Sequence, residues 1–192
     1  MNLSKLFETQ KLLDKRIVDE HNLHGQDLLP QKILALQVEL GELAQEWRGF
    51  KFWSRDQEPR TFEWIGKCEK CNGHGVDDEN ISCPNCAGTG DGNKNPLLEE
   101  YVDVLHFILS IGNDVGTEYF YYEPMIKQEE NITTQFITVF NYTYLILQDE
   151  FCSELFTSFH SLGMMLGFSW EQIEQSYYAK NKINHQRQTD KY

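Results

Sequence analysis

Residues Asn95–Asp114 read NPLLEEYVDVLHFILSIGND, and the fold class turns on this stretch. Asn95 can offer a side-chain oxygen to the unpaired amides of a helix start. Pro96 suits the first turn, where its missing N–H costs nothing. Leu97, Leu98, Tyr101, Val102, Leu105, Phe107, Ile108 and Ile111 follow at helical spacing, which predicts a heavily buried helix to about Asp114. A helix this apolar has to be wrapped by others. Near its start it nevertheless reads Glu99-Glu100-Tyr101-Val102-Asp103. Glu100 and Asp103, three residues apart, project from one face.

A second helix has the same contradiction. Pro30 opens it, Ile33, Leu34, Leu36, Val38, Leu40 and Leu43 are its apolar residues, and it runs to about Trp47. It carries Glu39-Leu40-Gly41-Glu42, with Glu46 a turn beyond. One ExxE on a helix is common and reads as solvated charge. ExxE and ExxD on two strongly apolar helices is more specific. Unpaired carboxylates in a core cost several kcal/mol each, by order of magnitude, and these helices hold too few cations to neutralise them. Hard divalent cations with oxygen ligands would do so. Glu39, Glu42, Glu100 and Asp103 are therefore candidate ligands for two or more Mg²⁺. Such ions bridge phosphate oxygens and acidify a bound water. A carboxylate not saturated by metal, Glu39 or Glu42, can take that water's proton. This is the chemistry of phosphoanhydride hydrolysis.

The rest of the chain supports an all-α fold, a helical bundle. An amphipathic helix is expected over residues 3–20, with Leu3, Leu6, Phe7, Leu12, Leu13 and Ile17 on its apolar face. Residues 49–66 read as a short helix plus loop. Residues 126–148 lean towards strand by propensity, while their length favours a buried helix. Another helix over 150–166 ends near Gly167. Ser169 caps the last, with Gln172 at the capping-box position, and it runs to about His185. A chain of 192 residues with net charge −13 suits one domain with a small insertion. It has no apolar run near the roughly 18 residues a membrane span needs. Its charge disfavours nucleic acid and anionic membranes as partners. The charged N-terminus lacks a signal peptide's apolar stretch, and a cytoplasmic location is expected.

Residues 67–94 differ in kind, being dense in glycine and almost free of large apolar side chains. They contain Cys68-Glu-Lys-Cys71-Asn-Gly-His-Gly and Cys83-Pro-Asn-Cys86-Ala-Gly-Thr-Gly, with eleven residues between Cys71 and Cys83. Two such CxxC knuckles are expected to form a tetrahedral Cys₄ zinc site. With all four ligands used, the zinc would be structural and would supply order that the segment cannot get from a core. His74 is expected to be exposed, and the fifth cysteine, Cys152, to be a small core residue. The doubled CxxCxGxG pattern resembles the zinc repeats of DnaJ-type chaperones.

The paired acidic motifs resemble those of the all-α NTP pyrophosphohydrolases, a superfamily that includes MazG-type enzymes and the dimeric dUTPases. Three passages look like the dimeric dUTPase branch: LFETQKLLDKRI near the start, GFKFW after the first acidic helix, and LGFSWEQIEQSYYAKNKINHQRQTDKY at the C-terminus. The last resembles a family pattern, Y-x-x-KN-x-x-N-x-x-RQ-x-x-x-Y, whose basic and amide side chains contact phosphates. By position these are Lys180, Asn184 and Arg187, with Asn181 and Gln188 beside them. Helical spacing independently puts Lys180, Asn184 and Arg187 on one face. The resemblance also makes Gln10 and Asp14 candidates for the base pocket, and Lys51 and Trp53 candidate phosphate and base neighbours. The chain departs from the family in the 57 residues between Glu42 and Glu100, much of which is the cysteine-rich segment.

The resemblance implies a homodimer that hydrolyses a nucleoside triphosphate, dUTP, to dUMP and pyrophosphate. The expected organisation is one domain over 1–66 and 95–192, with a zinc-binding insertion over 67–94. Two other functions stay open: the same chemistry on dCTP, another dNTP or a modified one, and a non-enzymatic zinc-ribbon adaptor on a helical scaffold.

Overall fold

The computed structural model describes residues 3–68, 70–76, 80–83, 86, 89–116, 128–146 and 152–190. Among the described residues there are six helices and one two-stranded sheet: α1 (Leu3–His21), α2 (Leu29–Trp47), β1 (Glu63–Lys67), β2 (Asp91–Lys94), α3 (Pro96–Val115), α4 (Ile132–Leu145), α5 (Cys152–Met165) and α6 (Trp170–Thr189). No described helix is long and apolar enough to cross a membrane.

Local signals explain most of the boundaries. The Asn95 side chain accepts from the Leu98 amide, with Pro96 in the first turn of α3. Ser169 and Gln172 form the capping box of α6. Arg48 ends α2 in the left-handed region (φ 63°), its amide bonded to the Ala44 carbonyl. The stretch balanced between strand and helix is α4, which buries Gln135, Phe136, Val139 and Thr143.

Helix α3 is the axis of the core and buries eleven residues. It packs on α2 most extensively, and on α1, α5 and α6, while α4 lies against α2 and α5. Tyr101 of α3 stacks on Phe159 of α5 with ring centroids 4.2 Å apart, and its hydroxyl donates to the Phe159 carbonyl at 3.1 Å. That approach needs a glycine: a Cβ at Gly163 would lie 2.5 Å from the Tyr101 hydroxyl oxygen. Full burial of side chains such as Leu36, Leu40, Leu43, Ile108 and Leu109 contributes about 1.5–3 kcal/mol each.

Several expectations need correction. No helix forms over 49–66: the chain is irregular to residue 62 and then enters β1. The loop is held by Arg48 and Arg60 on Asp56, and the Arg60 amide bonds the Glu46 carbonyl. Leu12, Leu34 and Val38 are exposed rather than in the core. Helix α6 continues to Thr189, one turn beyond the expected end. The core reading of Cys152 lies outside the described side chains, as do residues 117–127 and 147–151 outside the described chain.

Strands β1 and β2 form an antiparallel stem, pairing Glu63 with Lys94, Trp64 with Asn93, Gly66 with Gly92 and Lys67 with Asp91. A bulge falls between Trp64 and Gly66, where Gly66 takes φ 94°. At the far end the Cys68 amide bonds the Gly90 carbonyl at 2.8 Å. Cys68, Cys71, Cys83 and Cys86 make a buried cluster of their own, apart from the helical core. His74 is exposed.

Candidate active site

Helices α2 and α3 bring their acids together. Glu39, Glu42 and Glu100 each offer an oxygen, and these oxygens all lie within 4.8 Å of one another. Glu39 and Glu100 are half-buried and Glu42 is exposed. Burial, followed by repulsion from Asp103 and Glu42, raises Glu39 to about 7. Burial, Asp103, Glu42 and Glu39 raise Glu100 to about 7 as well. This is an under-neutralised anionic cluster of hard oxygen donors. Its donor type and spacing fit a divalent cation such as Mg²⁺.

Asp103 has a different partner. Lys180 of α6 donates to it at 2.6 Å and to Glu99 at 3.2 Å. Burial keeps Asp103 above the ordinary carboxylate range even though Lys180 pulls it down. Burial would lower Lys180, but Asp103 and Glu99 outweigh it and the ammonium is held more firmly. Lys180, which the resemblance assigns to phosphate, thus also reaches the acids, from a helix far along the chain. Glu99, passed over in the sequence reading, is its second anchor.

A cavity of about 290 Å³ opens beside this cluster, lined by Glu39 and Asp103 at one end and by Gln10, Asp14, His106, Phe107 and Ser110 beyond. Asn184, Arg187 and Gln188 of α6 border it. Gln10 is buried and fixed in orientation: its carbonyl accepts from the Tyr177 hydroxyl at 3.0 Å, and its amide donates to Asp14 at 2.8 Å. Burial raises Asp14, and its Oδ2 has no hydrogen-bond partner. His106 stacks on Tyr177 at 4.4 Å. Its Nδ1 lies 2.8 Å from the Val102 carbonyl, which can only accept, so Nδ1 carries the proton. Burial lowers His106 to about 4, so the ring is neutral. That leaves Nε2 as an acceptor, buried and without a partner. The sequence reading missed His106 and Ser110, and gave no role to Tyr177, the first residue of the Y-x-x-KN pattern. Their signal was positional: His106 lies three residues after Asp103, and Tyr177 three before Lys180.

The outer part of α6 is fastened to α1, where Arg16 donates to the His185 carbonyl at 2.7 Å and to Thr189 at 3.0 Å. This sets Asn184 and Arg187 at the cavity rim, 3.4 Å from each other. Asn181 is buried on the same helix. Lys51 and Trp53 are not among the residues lining the cavity. Trp53 is 66% exposed, packed edge-on to Phe50 and Phe52, so it belongs to neither core nor cavity. A larger groove of about 640 Å³ lies further along α1, but its Lys15 and Lys32 are already paired with Asp19 and Asp114.

At the cysteine cluster, Cys68 and Cys83 sulfurs are 4.0 Å apart and Cys71 and Cys86 sulfurs 3.8 Å. A tetrahedron with Zn–S bonds of about 2.3 Å has edges of about 3.8 Å. Amides of Gly75 and Gly90 donate to Cys71 and Cys86 sulfurs at 3.3 and 3.2 Å, as amides do to thiolates in metal knuckles. Four sulfurs and no oxygen donor suit zinc and leave no open position.

A family model described as dUTPase matches residues 2–65 and 88–192, the two segments that flank the cysteine cluster. No curated protein matches the chain.

Proposed function

The chain belongs to the dUTPase family, and from that premise we propose that it hydrolyses dUTP to dUMP and pyrophosphate with Mg²⁺. The observation that carries the proposal is the convergence of Glu39, Glu42 and Glu100, of which Glu39 lines a cavity bordered by Arg187 and Asn184. Glu39, Glu42, Glu100 and Asp103 would hold the Mg²⁺. When bound, the metal would neutralise the triphosphate and acidify a water. Glu39 or Glu42 accepts the proton of the attacking water; of the two, Glu39 lines the cavity. Arg187 grips phosphate oxygens through its planar fork, Lys180 supplies a point charge, and Asn184 donates from its amide. The anhydride between α- and β-phosphates breaks, and pyrophosphate leaves with its charge neutralised. Gln10, Asp14 and His106 present polar atoms to the base.

The zinc insertion is read as structural, the assembly as a homodimer, and the location as cytoplasmic. A second reading, dCTP as substrate, draws on two unpartnered acceptor atoms, Asp14 Oδ2 and His106 Nε2. An exocyclic amine would satisfy acceptors better than the single N3–H of uracil. Pyrophosphate release from a dNTP panel, with and without Mg²⁺, decides among these. Preference for dUTP supports the main reading, and preference for dCTP replaces it. Release of orthophosphate instead of pyrophosphate, or no turnover of any dNTP, overturns the proposed chemistry and returns the adaptor reading to consideration.

A further inference from the structure

A line of alternating charges joins the stem of the cysteine-rich insertion to the acid cluster. Lys94 closes the stem opposite Glu63 and lies 3.0 Å from its carboxylate. Lys94 also reaches Oε2 of Glu99 at 3.8 Å, while Oε1 of Glu99 holds Lys180 at 3.2 Å. Lys180 then meets Asp103 at 2.6 Å. Side-chain exposure falls along the line, from 54% at Glu63 to 11% at Lys180, so the outer links are the weaker ones.

The geometry points to Lys94 and Glu99 as positioning residues, through which the insertion fixes Lys180 for the triphosphate. The inference rests on the pyrophosphohydrolase reading of the acids and on the zinc reading of the cysteines. Lys180 divides its ammonium between Asp103 and Glu99. Asp103 is an expected metal ligand, and a ligating carboxylate has less charge to share, so Glu99 becomes the anchor that remains. Glu99 in turn is held from its other oxygen by Lys94. The position of Lys94 is a property of the stem, because its partner Glu63 is its direct opposite in the strand register. A lone two-stranded hairpin is marginal in water, so this register depends on what closes its far end. There the Cys68 amide bonds Gly90, and the Cys68 sulfur belongs to the four-cysteine cluster. Order at the cysteines thus extends through one pair of strands and two lysines to the acid cluster.

The test measures the affinity of the full chain for Mg²⁺ with the α,β-imido analogue of dUTP by calorimetry, alongside kcat and KM. Lys94→Met should weaken analogue binding about two- to fivefold, the upper part of the range of an exposed ion pair, with kcat within about twofold. Lys94→Arg should restore the parent affinity, and Glu99→Gln should weaken binding at least as much as Lys94→Met. In a zinc-free Cys83→Ser/Cys86→Ser background, Lys94→Met should add nothing. Parent-like binding by Lys94→Met, or an equal loss in the zinc-free background, overturns the link. A parent chain that binds the analogue but hydrolyses no dNTP overturns the proposed activity instead, and the link is still scored by affinity.

Discussion

Raising the pH from 6 to 8 should strengthen Mg²⁺ binding about 100-fold, because protons and metal compete for the same oxygens. In the metal-free protein Glu39 and Glu100 both titrate near 7. Each is therefore about one-tenth ionised at pH 6, half at pH 7 and nine-tenths at pH 8. Only the ionised pair is a full ligand set. Two such sites give a factor of about 100 between the two ends of the range. The same figures fix the protons displaced by binding: close to two at pH 6, about one at pH 7 and about 0.2 at pH 8, counted for the pair rather than for either residue. Calorimetry at pH 7 in two buffers of different ionisation enthalpy reads that number directly. An affinity that is flat from pH 6 to 8, with no proton released at pH 7, would falsify the description of these carboxylates as a mutually repelling, half-buried pair.

The same shift predicts the pH dependence of stability without metal. The folded-state values of Glu39 and Glu100 lie above the ordinary 4.5, so the folded chain binds more protons than the unfolded one. The stabilisation is complete below about 4.5 and is lost as pH rises through about 7. His106, lowered to about 4, acts in the opposite sense below about 6.5. Urea denaturation should therefore show a net loss as pH rises from about 5 to 7.5, on the order of 1 kcal/mol after discounting for solvent exposure, and Mg²⁺ should reverse it. Glu42→Gln, Glu100→Gln and Asp103→Asn should each lower turnover by orders of magnitude with helical circular dichroism unchanged; near-parent rates in any two would remove the shared metal site. Arg187→Ala should raise the Kd for nucleotide more than Arg187→Lys, since only the guanidinium offers a fork. Gly163→Ala should cost about 1–3 kcal/mol in urea denaturation by pushing Tyr101 off Phe159. Elemental analysis should find one zinc per chain, and replacing residues 68–90 with a Gly/Ser linker should leave the helical signal and measurable hydrolysis.

Five of the six described helices were legible because they announce themselves locally, by Asn95 with Pro96, Ser169 with Gln172, and apolar spacing, while α4 was balanced between a strand-like composition and a helical length. The acids of α2 and α3 could be paired from their contradiction with the apolar faces around them. The stem was not legible. Residues Glu63–Lys67 have exposure on both faces and no alternation, and β2 is Asp-Gly-Asn-Lys, a poor strand former. Its pairing follows from the closure of the cysteine cluster, not from strand propensity. Leu34 and Val38 misled because helical spacing shows which residues share a face, but not which faces find a neighbour. The Lys180 pair with Asp103 and Glu99 was hidden because its partners lie 77 and 81 residues away. The roles of Gln10 and His106 depend likewise on Tyr177, a contact between the first helix and the last.

That last contact bears on how the molecule assembles. The acids sit on α2 and α3, an antecedent pair that can dock on its own burial. The cation that relieves Asp103 arrives only with α6, which must also close on α1 across 169 residues of sequence at the Arg16–His185 bond. Long closures are entropically late events. A chain caught before that step carries its repulsive carboxylates without their lysine. Divalent metal at this stage would substitute for the missing charge, so Mg²⁺ should stabilise the packing of α2 on α3 before α6 closes as well as hold the product. The magnesium dependence of refolding kinetics, separate from that of turnover, would then record the moment when α6 arrives.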